Sequence, residues 1–174
     1  MQRYTLPAIV LHWLVALLII GAFTMGLVMT DIQGITPTKL KYYSWHKWAG
    51  VTILALAALR LLWRLGHRAP AYPDTMAGWQ KGAAHGLHSL LYVMMFAVPL
   101  SGYFYTLSAG IPVVYFGLFK LPVLIAANPE LKPVLTGLHF WLNMALAGMV
   151  GLHVAAALKH HFIDRDATLR RMLP

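Results

Sequence analysis

Three stretches of this chain, residues 4–30, 82–119 and 133–158, contain no Asp, Glu, Lys or Arg. A helix needs roughly 20 residues to cross the hydrocarbon core of a bilayer, and each stretch exceeds that length. A water-soluble unit of 174 residues has no use for 59% apolar residues against 11% charged ones. The chain therefore reads as one domain, 1–174, with lipid as its solvent. Arg3 ahead of an apolar run imitates a signal peptide. The run is too long for a signal h-region and lacks a small-residue cleavage site, so it is expected to remain as the first helix.

Spans are expected near residues 8–30, 44–65, 84–106 and 135–159, which makes the fold all-α: an integral membrane four-helix bundle. The second span is the tightest, because only the twelve residues from Trp48 to Leu59 separate Lys47 from Arg60. Charges that deep must snorkel or find a buried anionic partner. Pro70, Pro73 and Gly78 break the chain after span two, and Pro112, Pro122, Pro129 and Pro133 punctuate the long third loop. Lys120 and two internal prolines make apolar residues 111–127 an interfacial segment rather than a fifth span.

Sorting the basic residues by side sets the orientation. Arg3, Arg60, Arg64, Arg68, Lys81, Lys159, Arg165, Arg170 and Arg171 share the side of the termini, against Lys39, Lys41, Lys47, Lys120 and Lys132 opposite. Nine against five predicts cytoplasmic termini; that face is called inner and the opposite face outer. The same distribution explains the formal charge of +9 by topology, with no nucleic-acid partner. The absence of cysteine excludes disulfides, iron–sulfur clusters, thiolate metal sites and covalent heme attachment.

Histidine is costly inside a span, and several occur here. His12 falls near the inner end of span one, His46 at the outer end of span two, and His139 and His153 near the outer and inner ends of span four. The depths pair His12 with His153 and His46 with His139. Fourteen residues separate the two histidines of span four. That is about four turns, so they share a face and stand about 21 Å apart. One helix can thus serve two stacked hemes, each taking an imidazole nitrogen from either side, a ligation that favours electron transfer over oxygen binding. Arg60, fourteen residues after His46, lies on the same face at the inner depth, where it can pair with a heme propionate. Lys47 can serve the outer heme in the same way, and Gly50 would let a flat macrocycle approach the backbone.

Plainer readings stand beside these. A membrane histidine often only hydrogen-bonds between helices, Arg60, Arg64 and Lys47 can be interfacial anchors, and Gly50, Gly148 and Gly151 can serve close packing. The nine methionines suit packing better than ligation. His85 and His88 share a face at the inner end of span three, and either can replace a chosen ligand. A surface position suits His85 better than His88. His160 and His161 read as solvated loop residues or as a proton relay to a quinone, with His88 a further candidate. His67 belongs to the solvated basic loop.

The segments IVLHWLVALLI around His12, WHKWAGVTILALAALRLLWRL from Trp45, AAHGLHSLLYVMMFAVPLSGY from Ala83, VVYFGLFKLP, LHFWLNMALAGMVGLHVAAALKHHF and DATLRRMLP occur in that order. In order and with the fourteen-residue histidine spacing, they resemble the bacterial cytochrome b561 family over nearly the whole chain. The resemblance implies a four-helix bundle in the bacterial inner membrane with two noncovalent, bis-histidine hemes b. It also implies electron exchange with ubiquinone, and in some members oxidation of superoxide. Related cytochrome b anchors of hydrogenases and formate dehydrogenases use a similar bundle, so a dehydrogenase partner subunit is one rival reading. A heme-free metal or proton transporter is the other, although its polar residues would gather at the midplane.

Overall fold

The computed structural model describes residues 3–73 and 75–173; Met1, Gln2, Asp74 and Pro174, all within the expected single domain, lie outside the described residues. Four helices dominate: α1 Leu6–Asp31, α2 Pro37–Gly66, α3 Gly78–Ser108 and α4 Leu131–Phe162, each long and apolar enough to cross a membrane. All four overrun the expected spans. At the starts of α2 and α4 the added residues follow signals that act beyond the hydrocarbon. Pro37 opens α2, with the Thr36 hydroxyl accepting the Lys39 amide at 3.1 Å. The Asn128 side chain accepts the amides of Glu130 and Leu131 at 2.9 and 3.1 Å ahead of α4.

The bundle is apolar on its outside: Leu17, Leu62, Leu65, Trp141 and Leu152 are each more than 60% exposed. Outward Leu and Trp on every face are what lipid as solvent requires. Three tryptophans, Trp45, Trp48 and Trp141, belong to the outer part of their helices, and Trp13, Trp63 and Trp79 to the inner part. Such a pair of aromatic belts marks the two bilayer interfaces.

The main helix seams are α1–α2, α2–α3 and α3–α4. The side of α4 that carries His139 and His153 is thus not sealed against α1 by a continuous seam. Between the two histidine levels the interior is filled by two small clusters. Val15, Ala57 and Met95 form one, and Met94, Val98 and Leu146 the other. Pro99 lies within α3 next to them without ending the helix. In lipid a proline inside a helix is tolerated where neighbouring groups take up the freed backbone carbonyl.

The outer loop holds a minimal antiparallel hairpin, with β1 Val114–Tyr115 paired to β2 Phe119–Lys120. Phe116 and Gly117 take φ of 48° and 74°, and the Leu118 amide closes the turn on the Tyr115 carbonyl at 2.9 Å. Two successive positive φ values give a turn whose twist suits a hairpin. The Trp48 indole donates to the Val114 carbonyl at 2.7 Å, and the Thr52 and Tyr115 hydroxyls meet at 2.9 Å. These bonds draw the hairpin down the side of α2. The expected non-spanning segment is therefore a short strand pair, a shape that its alternating aromatics did not announce.

At the inner end the carboxy-terminal segment folds back across the bundle. Trp13 donates to the Met172 carbonyl at 2.8 Å, Arg3 to the Leu173 carbonyl at 2.5 Å, and Arg171 to the Ala71 carbonyl. The Trp63 indole reaches the Thr5 hydroxyl at 2.9 Å.

Candidate heme centres

Helix α4 brings one histidine to each level, and another helix supplies its counterpart. His46 and His139 face one another with ring centres 6.2 Å apart and planes at 86°. His12 and His153 repeat the arrangement at 6.2 Å and 69°. Two imidazoles that share a metal from opposite sides have ring centres about 6 Å apart, given about 2 Å from metal to nitrogen and about 1 Å from nitrogen to ring centre. Both pairs have the separation that an iron held between them requires.

The outer pair also has its tautomers set. The His46 Nδ1 lies 2.9 Å from the Ala22 carbonyl, which can only accept, so Nδ1 carries the proton and Nε2 the lone pair. The His139 Nδ1 donates to the Ser101 hydroxyl at 2.9 Å, and that hydroxyl donates to the Val98 carbonyl at 2.7 Å. A metal-binding histidine commonly gives its second N–H to such a partner, which orients the ring and leaves the other nitrogen free to ligate. Beside this pair is a cavity of about 380 Å³, overwhelmingly apolar, which both histidines, Lys47 and Gly50 line. A Cβ on Gly50 would meet nothing within 4 Å, so that side of α2 is open to a flat group.

Two glycines escaped the sequence reading. A Cβ on Gly102 would come within 2.8 Å of the His139 Cε1, and one on Gly26 within 3.4 Å of the His46 Cε1. The Gly102 hydrogen makes room for the His139 ring. Its sequence signal, a glycine beside a serine after a mid-helix proline, carries no hint of the histidine thirty-seven residues on. Gly148 and Gly151, read as close-packing positions, have no atom within 4 Å of an added Cβ. The packing reading is therefore corrected: the chain brings no neighbour against them.

At the inner level three imidazoles gather. His88 lies 5.2 Å from His153, and its Nδ1 donates to the Ala84 carbonyl at 2.7 Å. That separation is about 1 Å less than a shared iron needs, so the geometry favours His12 as the partner of His153. The His12 Nδ1 is buried without a hydrogen-bond partner. Arg60 is half-buried, with its guanidinium 5.4 Å from the centre of the Tyr92 ring. His85 is exposed, and His67 is stacked on Trp63 at 3.9 Å in an exposed position.

His160 and His161 belong to the last turn of α4 rather than to a solvated loop. The His160 Nδ1 sits 2.8 Å from Asp166 and 3.0 Å from Asp164, while Lys159 pairs with Asp164 at 2.6 Å. The His161 Nδ1 is buried without a partner. Burial opposes ionisation of Asp166, but hydrogen bonds from Thr168 and the facing His160 outweigh it and lower its pKa below the ordinary carboxylate value. A carboxyl lowered on folding contributes stability that is present above its unfolded pKa and lost as pH falls through the folded one. Acidification below the ordinary carboxylate range should therefore free the carboxy-terminal segment, and Asp166→Asn should do so at neutral pH. Several-fold faster tryptic cleavage at Arg170 and Arg171, with heme content unchanged, is the expected result.

A bundle of membrane helices that presents opposed imidazoles, and has no cysteine to tether a macrocycle, is the construction of a membrane cytochrome b. The profile of the family described as prokaryotic cytochrome b561 matches residues 3–174. Cytochrome b561 homolog 2 of Escherichia coli (strain K12) is 33% identical over 172 residues, covering 99% of this chain and 92% of its own length. "Probable superoxide oxidase CybB" of Yersinia pestis is 32% identical over 177 residues, covering 99% and 97%. Cytochrome b561 homolog 1 of Escherichia coli is 30% identical over 179 residues, covering 100% and 98%. The chain belongs to the prokaryotic cytochrome b561 family, which makes it a multi-pass bacterial membrane cytochrome with b-type heme, acting in electron transfer.

Proposed function

We propose that the protein binds two hemes b and carries electrons across the bacterial inner membrane, from a donor at the outer face to a quinone at the inner one. The observation that carries this reading is the pair of facing imidazoles at each level, both 6.2 Å apart, with α4 contributing to both. His46 and His139 would ligate the outer heme, His12 and His153 the inner. Heme supplies the one-electron chemistry. The residues do the rest. Lys47 and Gly50, on the cavity wall, suit an outer propionate and the macrocycle face. Val15, Ala57, Met94, Met95, Val98 and Leu146 keep water out of the space between the levels. At the inner end the Nδ1 of His160 is held by Asp166, which leaves Nε2 to pass a proton to a reduced quinone; His161 and His88 are the other candidates for that step.

A relative whose printed name is a superoxide oxidase supports superoxide as the donor. Two superoxide anions would each lose one electron and become dioxygen, while one quinone takes up both electrons and two protons. Lys39, Lys41, Lys47, Lys120 and Lys132 on the outer side would attract the anion. The rate of superoxide-driven reduction should then fall about tenfold or more as salt is raised or these lysines are neutralised, on the usual scale of electrostatic steering. A rate indifferent to both treatments removes superoxide steering from the account. The whole reading is tested by a reduced-minus-oxidised visible spectrum with heme-to-protein stoichiometry, followed by quinone addition. Two hemes per chain, reoxidised by ubiquinone, are expected; a colourless protein carrying zinc or copper would make it a transporter.

A further inference from the structure

Arg60 and Arg64 stand one turn apart on α2, and both guanidiniums lie against the ring of Tyr92 on α3, at 5.4 and 5.2 Å from its centre. Tyr92 packs on the interior cluster of Val15, Ala57 and Met95, so the two cations converge on a ring that belongs to the bundle, not to the headgroups. Arg60 is half-buried and Arg64, one turn nearer the end of α2, is exposed; like charges at this spacing repel, and the one withdrawn from water needs an anion.

Among the described residues the chain has little to offer them. Of its five acidic residues, Asp31 and Glu130 sit at the outer end, and Asp164 and Asp166 are taken by Lys159 and His160. Among the described residues the salt bridges are confined to that last group. Asp74 is the one acidic residue in the loop between α2 and α3. The Tyr92 ring offers only a modest cation–π attraction, which stabilises a guanidinium without neutralising it.

We propose that Arg60, Arg64 and Tyr92 form a two-point clamp for paired oxyanions, and that its occupant is the two propionate carboxylates of the inner heme. Arg60 alone answers one carboxylate; the second guanidinium, one turn nearer the inner interface, matches the second arm. Planar guanidinium forks suit carboxylates, and phosphate equally. An anionic lipid headgroup is thus the other source of the same chemistry. The ring under both guanidiniums packs on the interior cluster, and Arg60 lies fourteen residues, about four turns, along α2 from His46, which favours the porphyrin. The clamp rests on the reading that His12 and His153 hold a heme.

The consequence is a redox one. Positive charge beside a heme favours the form that has gained an electron, so the clamp raises the potential of the inner heme relative to the outer. The test is a potentiometric titration of the intact protein in Arg60→Gln, Arg64→Gln and both together, following each heme by its spectrum. Each single variant should lower the ferrous-to-ferric ratio of the inner heme about tenfold at fixed ambient potential, a shift of about 59 mV for a one-electron couple. The outer heme should keep its potential, and its retention shows that the bundle is folded. Arg60→Lys should restore most of the shift, because charge and not shape sets it.

If an arginine variant loses the inner heme altogether while the outer one remains, the clamp is supported as a binding device. Two hemes present, one lost in His153→Ala, but an inner potential unmoved in all arginine variants would overturn the clamp and leave the two-heme reading intact. Both hemes retained in His153→Ala would sink the reading and the clamp together. Loss of co-purified phospholipid phosphorus in Arg64→Gln with unchanged potentials assigns the pair to a headgroup and overturns the porphyrin as occupant. A raised inner potential in Asp74→Asn would identify that carboxylate as the partner and equally overturn the proposal.

Discussion

Protein purified with His153 replaced by alanine is expected to carry one heme per chain instead of two, and His139→Ala to carry the complementary one. The expectation follows from the way α4 is shared. Each of its two histidines is opposed at 6.2 Å by an imidazole from a different helix, and the fourteen residues between them keep the sites about 21 Å apart. Removing either imidazole empties one axial position and leaves the other site untouched. His12→Ala and His46→Ala should give the same two single-heme spectra, His12→Ala matching His153→Ala and His46→Ala matching His139→Ala. His88→Ala should retain both hemes, because a ring 5.2 Å from His153 is too close to share an iron with it. Loss of the inner heme in His88→Ala but not in His12→Ala would reverse that assignment. A His153→Ala protein with both hemes would end the pairing by level.

The second large effect is expected at a residue that ligates nothing. Gly102→Val should abolish the outer heme and spare the inner one, and Gly102→Ala should weaken the outer site. A Cβ there would lie 2.8 Å from the His139 Cε1, closer than real side chains come, and a tight 3.2 Å from its Nδ1. The ring would have to swing away, breaking the Nδ1 bond to Ser101 that holds the other nitrogen toward the cavity. Overpacking of this kind costs about 1–3 kcal/mol, which for alanine corresponds to roughly five- to 150-fold weaker heme retention. Gly26→Ala should cost less, since its Cβ would meet the His46 Cε1 at 3.4 Å. Gly50→Ala meets no protein atom at all. A drop in outer heme content there would mark Gly50 as a contact of the macrocycle; full retention would return it to an ordinary cavity-wall residue.

Much of the bundle was legible in the chain. The uncharged runs forced three of the four helices, because a backbone in lipid has only itself to bond to, although the run 82–119 continues past the end of α3 at Ser108 into the hairpin. Helical periodicity then put His139 and His153 on one face and Arg60 on the face and at the depth of the inner pair. What escaped were facts about neighbours. The hairpin at 114–120 needs Trp48 and Thr52 to hold it, the fixed imidazole of His160 needs Asp164 and Asp166 to fold back, and the contact of Arg64 with Tyr92 needs α3 beside α2.

The amino-acid order alone determined that this chain is apolar enough for lipid, how many of its helices are long enough to cross, and how far along its helix each imidazole stands, since these depend on local hydrophobicity and on the rise of a helix. Only the tertiary structure decided which nitrogen of His46 and His139 is free, that Gly102 lies against the His139 ring, and that the His12 and His88 rings stand 6.2 and 5.2 Å from that of His153. Those outcomes hang on the rotation of each helix about its own axis. That rotation is chosen by packing against partners far away in sequence, and nothing in the spacing of one helix records it.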